Sequence, residues 1–127
     1  EEGSSVKLID FGLSRTHGLY ESAMTSEVGT LYYMSPDVLQ GEYDRSCDLW
    51  SIGIVSYILL CGYPPFNGSS DDEIHDAIRR GNLVFEKSVW GNLSNAARDF
   101  VSKLLSMDSS KIGTAADALQ HPWIVGV

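Results

Sequence analysis

The sequence predicts a mainly α-helical fold with a single core. About five helices surround a central buried helix, with a short N-terminal β-strand and a long loop between strand and helices. Three observations carry that expectation. The run from Leu49 to Tyr63 is apolar around nearly its whole circumference, the mark of a helix enclosed by others. Helix start and stop signals recur downstream, with Ser or Thr opening and Gly or Pro closing. Val6–Phe11 alternates in the manner of a strand.

Each element follows from local chemistry. Val6-Lys7-Leu8-Ile9-Asp10-Phe11 is rich in β-favouring residues and predicts a strand ending near Asp10. Gly12 then permits a sharp redirection of the backbone. From Leu13 to Tyr33 no period holds, and connections of that length in compact domains are usually functional or mobile. Ser35-Pro36-Asp37-Val38-Leu39-Gln40 predicts a short helix entered through Pro36 and stopped by Gly41. Asp44 or Ser46 opens the central helix, which runs to about Leu60 or Cys61 and ends at Gly62 and Pro64-Pro65.

Ser70-Asp71-Asp72-Glu73 has the form of a capping box. Ile74, Ala77 and Ile78 mark one face of the helix it opens, and Arg79-Arg80-Gly81 supplies cations and a glycine for its end. Ser94 starts another helix, with Ala97, Phe100, Val101, Leu104 and Leu105 at helical spacing. Thr114 and Asp117 predict one more cap, and Pro122 a stop.

Composition excludes several classes. The 127 residues are 43% hydrophobic and 20% charged, which is the balance of a globular chain rather than a disordered one. Nine Lys and Arg against seventeen Asp and Glu give a net charge of −8, unsuited to a nucleic-acid backbone and suited to a basic partner. The Leu49–Tyr63 run is short for a membrane span and is interrupted by Ser51, Gly53 and Ser56. Glu1-Glu2-Gly3-Ser4-Ser5 carries no basic n-region or signal-peptide core. Cys47 and Cys61 on one helix would stand about 21 Å apart at 1.5 Å per residue, too far for a disulfide. Reduced thiols and a cytoplasmic location are therefore expected. Three His without zinc-type Cys/His spacing predict no structural metal.

The chemistry lies in an ordered series of motifs. Asp10-Phe11-Gly12 follows the predicted strand. Gly29-Thr30-Leu31-Tyr32-Tyr33-Met34-Ser35-Pro36-Asp37 comes after the long loop. Asp48-Leu49-Trp50-Ser51-Ile52-Gly53 opens the central helix, Gly62-Tyr63-Pro64-Pro65-Phe66 closes it, and His121-Pro122-Trp123 stands near the end. Taken singly, Asp10-Phe11-Gly12 reads as an ordinary turn. Together and in this order, the motifs resemble the C-terminal lobe of a eukaryotic Ser/Thr protein kinase, from Val6 to Val125. Within that family the chain is most similar to the calcium/calmodulin-dependent group, including calcium-dependent kinases of the plant and protozoan type. Asp10-Phe11-Gly12-Leu13-Ser14, Tyr57–Phe66 and Ala118–Trp123 carry that finer likeness.

The resemblance implies a partial kinase domain over residues 1–127, working with ATP and Mg²⁺ on a protein substrate. Asp10 would hold the magnesium, with Phe11 packing beneath it and Gly12 letting the turn move. Leu13–Tyr33 would be the activation and P+1 loops. There Gly29, Thr30 and Tyr33 border the substrate, and the Thr30 hydroxyl favours Ser/Thr specificity. Ser26, with Thr25 as rival, is the candidate activating phosphosite; unmodified loop hydroxyls are the plainer reading. Asp48 would be buried and accept hydrogen bonds from a catalytic loop. Trp50 and Trp123 read as core. Asp71, Asp72, Glu73 and Asp76 either attract a basic substrate or simply complement the helix dipole.

The chain departs from the pattern in two ways. Ser35-Pro36-Asp37 stands where Ala-Pro-Glu belongs, and no Arg occurs in Met107–Ala115 to pair with Asp37, leaving Lys111 as the candidate surrogate. The chain also contains no Gly-rich phosphate loop, no strand Lys with its helix Glu, and no His-Arg-Asp loop. The catalytic Asp is thus expected upstream, and the chain alone is expected to be inactive. The alternative is a non-catalytic, kinase-derived binding or scaffolding module. No EF-hand loop occurs, so a calcium-sensing segment or calmodulin would act from outside these residues. Apolar surface left bare by the missing parts predicts self-association of the isolated lobe.

Overall fold

The computed structural model describes residues 3, 5–12, 14, 31–41 and 43–126. After a 3-10 turn at Leu31–Tyr33, the helices in chain order are α1 (Pro36–Leu39), α2 (Ser46–Cys61), α3 (Asp71–Arg80), α4 (Lys87–Trp90), α5 (Asn95–Leu104), α6 (Ser109–Ile112), α7 (Ala115–Leu119) and α8 (Pro122–Val125). Three helices have ten residues or more; the others are single turns. The expected helices are therefore present, and α4, α6 and α8 come in addition.

Local chemistry sets the boundaries. Ser70, Ser94 and Thr114 each accept a hydrogen bond from the amide three residues on, satisfying donors that the first helical turn leaves free. At Thr114 the box is reciprocal, since the Asp117 carboxylate accepts from the Thr114 amide at 2.8 Å. At Ser70 it is not: Glu73 reaches one residue further back, to the Ser69 amide at 2.7 Å. The α2 start is held by Asp44, whose carboxylate accepts from the Ser46 amide at 2.7 Å. Gly62 ends α2 in the left-handed region at φ 89°, where a Cβ is penalised. Pro122, expected as a stop, instead opens α8, because its fixed φ suits a first helical position.

The core is built on α2. Trp50, Ile54 and Tyr57 project from it into a cluster with Ile78 of α3, Trp90 of α4 and Val101 of α5, all of them buried. Trp50 stacks on Phe66 with ring centroids 5.7 Å apart, and Trp90 lies 4.9 Å from Tyr57. The Tyr57 hydroxyl donates to the Val84 carbonyl at 2.6 Å, tying α2 to the stretch after α3. α5 crosses α2 where Gly53 removes a side chain: a Cβ there would lie 2.8 Å from Leu105 Cδ2 and 2.9 Å from Leu104 Cβ. α8 packs on α5 and α7, and the 3-10 turn lies against α2 and α3.

Two expectations are corrected. Val6–Asp10 forms no strand, and Val6, Leu8 and Ile9 are more than four-fifths exposed. Alternation gives a segment the propensity for a strand, but the ladder needs a partner, and among the described residues none pairs with it. Nor is α2 enclosed on all sides. Ile52, Val55 and Leu59 are exposed, because the described helices cover only the opposite face.

Candidate functional site

Asp10, Phe11 and Gly12 lie exposed beyond the helical core. The turn is made by the aspartate rather than by the glycine: Asp10 has φ 60°, the one positive value at a non-glycine position among the described residues. Aspartate tolerates this region because its short side chain can bond locally. Here Asp10 Oδ1 accepts from the Gly12 amide at 3.3 Å. A Cβ on Gly12 would stand 3.2 Å from that oxygen, so glycine leaves room for the carboxylate. Ser14 closes the turn, its hydroxyl and amide both donating to the Phe11 carbonyl at 2.7 and 3.0 Å. Phe11, expected to pack, has an exposed ring.

This donor set fits Mg²⁺ in part. The ion takes hard oxygen ligands and commonly uses one or two carboxylates together with substrate phosphates. Asp10 offers one such carboxylate, exposed and anchored through a single oxygen. Among the described residues no group of three or more His, Cys, Asp or Glu converges to hold an ion. Asp10 could therefore supply at most one ligand, the rest coming from outside the described residues.

Of the residues expected to border a substrate or carry a phosphate, Gly29, Thr30, Ser26 and Thr25 lie outside the described residues. Tyr33 ends the 3-10 turn with its ring partly exposed. Its carbonyl accepts from the Ser51 hydroxyl on α2 at 2.7 Å. Leu31 and Tyr32 rest on the core, so this end of the loop is fixed to α2 by both apolar and polar contacts.

The expected surrogate pair is not formed. Lys111 Nζ binds Asp108 Oδ2 at 3.3 Å, three residues back at the N-cap of its own helix, and not Asp37. Proximity decides this, since a flexible ammonium takes the carboxylate three residues back. The buried side chain of that segment is Ile112, 3% exposed, so the position supplies apolar packing instead of a cation. Asp37 is half-buried in the first turn of α1, whose cap is the buried Ser35. Asp108 is held below the usual carboxylate range, first by the Ser110 hydroxyl and then by Lys111.

Asp48, expected to be buried, is exposed, and its carboxylate accepts from the Cys47 thiol at 3.9 Å. Cys47 is pushed up to about 11 by burial first and then by the neighbouring Asp48 and Asp44 carboxylates. Cys61 is also raised, chiefly by burial. Trp50 is fully buried. Asp71, Asp72 and Glu73 lie exposed at the α3 start, while Asp76 faces Arg79 and Arg80 at 3.7 and 3.9 Å. The dipole and these exposed pairs account for the charges locally.

Sequence reasoning did not single out two ties. His121 is buried, with Nε2 3.0 Å from Asp99 Oδ2, while Nδ1 accepts from the Trp123 amide at 3.2 Å. With Nδ1 accepting, Nε2 carries the proton and donates to Asp99. A polar residue directly before Pro122 was a legible cap signal. The Ser51–Tyr33 bond had no signal, because it joins residues eighteen apart.

The chain matches the family described as Protein kinase domain over residues 1–124 and belongs to it. It is 46% identical over 120 residues to Calcium-dependent protein kinase 3 of Plasmodium yoelii yoelii, covering 94% of this chain and 22% of that protein. It is 44% identical to Myosin light chain kinase A of Dictyostelium discoideum, covering 98% of this chain and 42% of that protein. It is 42% identical to Calcium/calmodulin-dependent protein kinase type 1 of Caenorhabditis elegans, covering 99% of this chain and 36% of that protein. The chain thus spans about a fifth of the calcium-dependent kinase's length. Among the described residues no helix is long and apolar enough to cross a membrane.

Proposed function

We propose that this chain is the magnesium-binding and substrate-side part of an ATP-dependent Ser/Thr protein kinase. It acts within a longer polypeptide that transfers the γ-phosphate of ATP to a protein serine or threonine. The observation that carries the reading is the bare face of α2. A helix otherwise sunk in the core leaves Asp48, Ile52, Val55 and Leu59 exposed in one line, at i, i+4, i+7 and i+11. A catalytic loop and its supporting helix, contributed by other residues, would cover the apolar part and donate to Asp48. Each Å² so covered would be worth about 25 cal/mol.

In that assembly Asp10 holds one metal position and Gly12 keeps the space beside it open. Bound there, Mg²⁺ would neutralise charge on the transferring phosphates. Thr30 and the turn at Tyr33 border the acceptor residue, and Ser26 or Thr25 is the candidate for an activating phosphate. The acids at the start of α3 favour a basic substrate. The relatives' names supply the further proposal of control by a calcium-sensing segment or calmodulin outside these residues. Two free thiols suit the reducing cytosol.

Phosphate transfer from ATP to a protein substrate is the test. The full polypeptide should be active, Asp10→Asn should lower kcat by at least about a hundredfold, and the 127-residue chain should be inactive. Turnover by that chain alone would overturn the division of labour. One observation favours a second reading, a non-catalytic binding module: among the described residues no ion pair involves Asp37. A full polypeptide that binds ATP or substrate but transfers nothing would establish it.

A further inference from the structure

The geometry points to Ser51 as a positioning residue that latches the substrate-side loop to α2, an inference that rests on the kinase reading for its effect on catalysis but not for the latch itself. The Ser51 hydroxyl stands 2.7 Å from the Tyr33 carbonyl and 3.1 Å from the Cys47 carbonyl. A hydroxyl has one proton to donate. The shorter distance is that of a well-formed O–H···O bond. The longer one is the back-bond a helical serine makes by default, to the carbonyl four residues earlier. Two acceptors therefore compete for one proton, one on the loop and one on the helix.

That competition makes the attachment reversible. When the loop moves away, the hydroxyl turns to Cys47 and no donor is stranded. Detachment trades the 2.7 Å bond for the longer 3.1 Å one, so the latch is worth only the difference between the two. Leu31 and Tyr32 anchor the same turn through apolar contact, which resists sliding but fixes direction poorly. The Ser51 bond supplies the direction. Its importance rises because, among the described residues, no ion pair of Asp37 holds α1, the next element along the chain. Ser51 touches no reacting atom; it aims the backbone that Thr30 precedes.

The experiment compares wild type, Ser51→Ala, Ser51→Thr and Ser102→Ala in the full polypeptide. Ser102 makes the same kind of back-bond, to the Arg98 carbonyl at 2.8 Å, with no loop acceptor among the described residues, and serves as the control. The first readout is hydrogen exchange at Met34, whose amide closes the turn on the Leu31 carbonyl at 3.1 Å. Ser51→Ala should speed it about twofold, because trading the shorter bond for the longer one leaves the latch worth only part of one neutral hydrogen bond. Ser51→Thr should restore it, and Ser102→Ala should leave it unchanged. The second readout is peptide phosphorylation: Ser51→Ala should raise the peptide KM about twofold, in step with the exchange rate, with the ATP KM unmoved. Unchanged exchange in Ser51→Ala, or equal acceleration in Ser102→Ala, overturns the latch. Faster exchange with an unmoved peptide KM overturns its role in positioning. If the wild type transfers no phosphate, the kinase reading fails, while the exchange result still decides the latch.

Discussion

One face of α2 presents Leu49, Trp50, Ile54 and Tyr57, none more than 7% exposed, while the opposite face presents Ile52, Val55 and Leu59 at 49%, 44% and 81%. The two faces are equally apolar in sequence, so hydrophobicity did not decide which is buried. Partners did: α5, α6 and the 3-10 turn lie against α2 on one side, and the other meets none of them. An apolar stripe with an acidic residue at its head, on a helix the core cannot spare, marks a docking surface better than a patch on a peripheral loop does. The comparison also argues against a second copy as the natural occupant of this stripe. Parallel pairing would set two Asp48 carboxylates side by side, and antiparallel pairing would set each against Leu59.

The largest effects belong to the covered face. Trp50→Ala should cost about 3–5 kcal/mol, the range for removing a buried aromatic ring, seen as a large drop in the urea midpoint. Trp50→Phe should cost much less. It keeps a ring over Phe66 and removes an indole N–H that has no partner among the described residues.

Gly53→Ala comes next, and two terms oppose each other there. Alanine gains about 1 kcal/mol in helix propensity. Against that, the new methyl meets Leu104 Cβ at 2.9 Å, an atom fixed close to its own backbone. Overpacking costs about 1–3 kcal/mol, so the net change should be destabilising. An unfolding midpoint at or above wild type would show that α5 can shift away, and that the covered face is less tightly set than the distances imply.

How much of this was legible follows from range. The caps at Ser70, Ser94 and Thr114 were readable because donor and acceptor lie three residues apart. The extent of α2 was readable because a sixteen-residue helix repeats its pattern. Single turns such as α4 and α6 complete no period and left no signal. The strand at Val6–Asp10 and the enclosure of α2 failed for one shared reason: each needs a partner, and alternation or apolarity states only a readiness for one. At the site, Asp10-Phe11-Gly12 was legible as a motif, whereas the positive φ at Asp10 and the choice of Asp108 by Lys111 depend on geometry that spacing does not fix. Thr30, Ser26 and Thr25 were legible as a pattern and lie outside the described residues.

Cys47, at the head of α2 where the two faces meet, gives an alkaline test. Its thiol is raised from 9.0 to about 11 in the folded chain. The folded state therefore keeps a proton that the unfolded state loses. The stabilising contribution is complete below pH 9.0, declines as pH rises, and is gone above about 11. Cys47→Ala should flatten that part of the alkaline loss relative to wild type, read as urea midpoints at pH 8 and pH 10.5. The same shift should make Cys47 slow towards a thiol reagent at pH 8. Rapid labelling in the folded chain would show that the carboxylates and burial around it do not act as the geometry requires.

The smallest effect in this chain should become a large one outside it. Leu59 is 81% exposed, and substitutions at such positions usually change stability by no more than about 0.5 kcal/mol. Leu59→Ser should therefore leave the unfolding midpoint of the 127-residue chain almost where it was. In the full polypeptide the same change should cost about 2–5 kcal/mol, as for a buried leucine, because the bare face would then be covered. The ratio of the two costs measures the docking surface directly, without reference to catalysis. Equal and small costs in both contexts would mean that α2 keeps its second face in water even in the complete protein. The stripe of Asp48, Ile52, Val55 and Leu59 would then have no partner to explain it, and the division of the kinase fold across this surface would have to be abandoned.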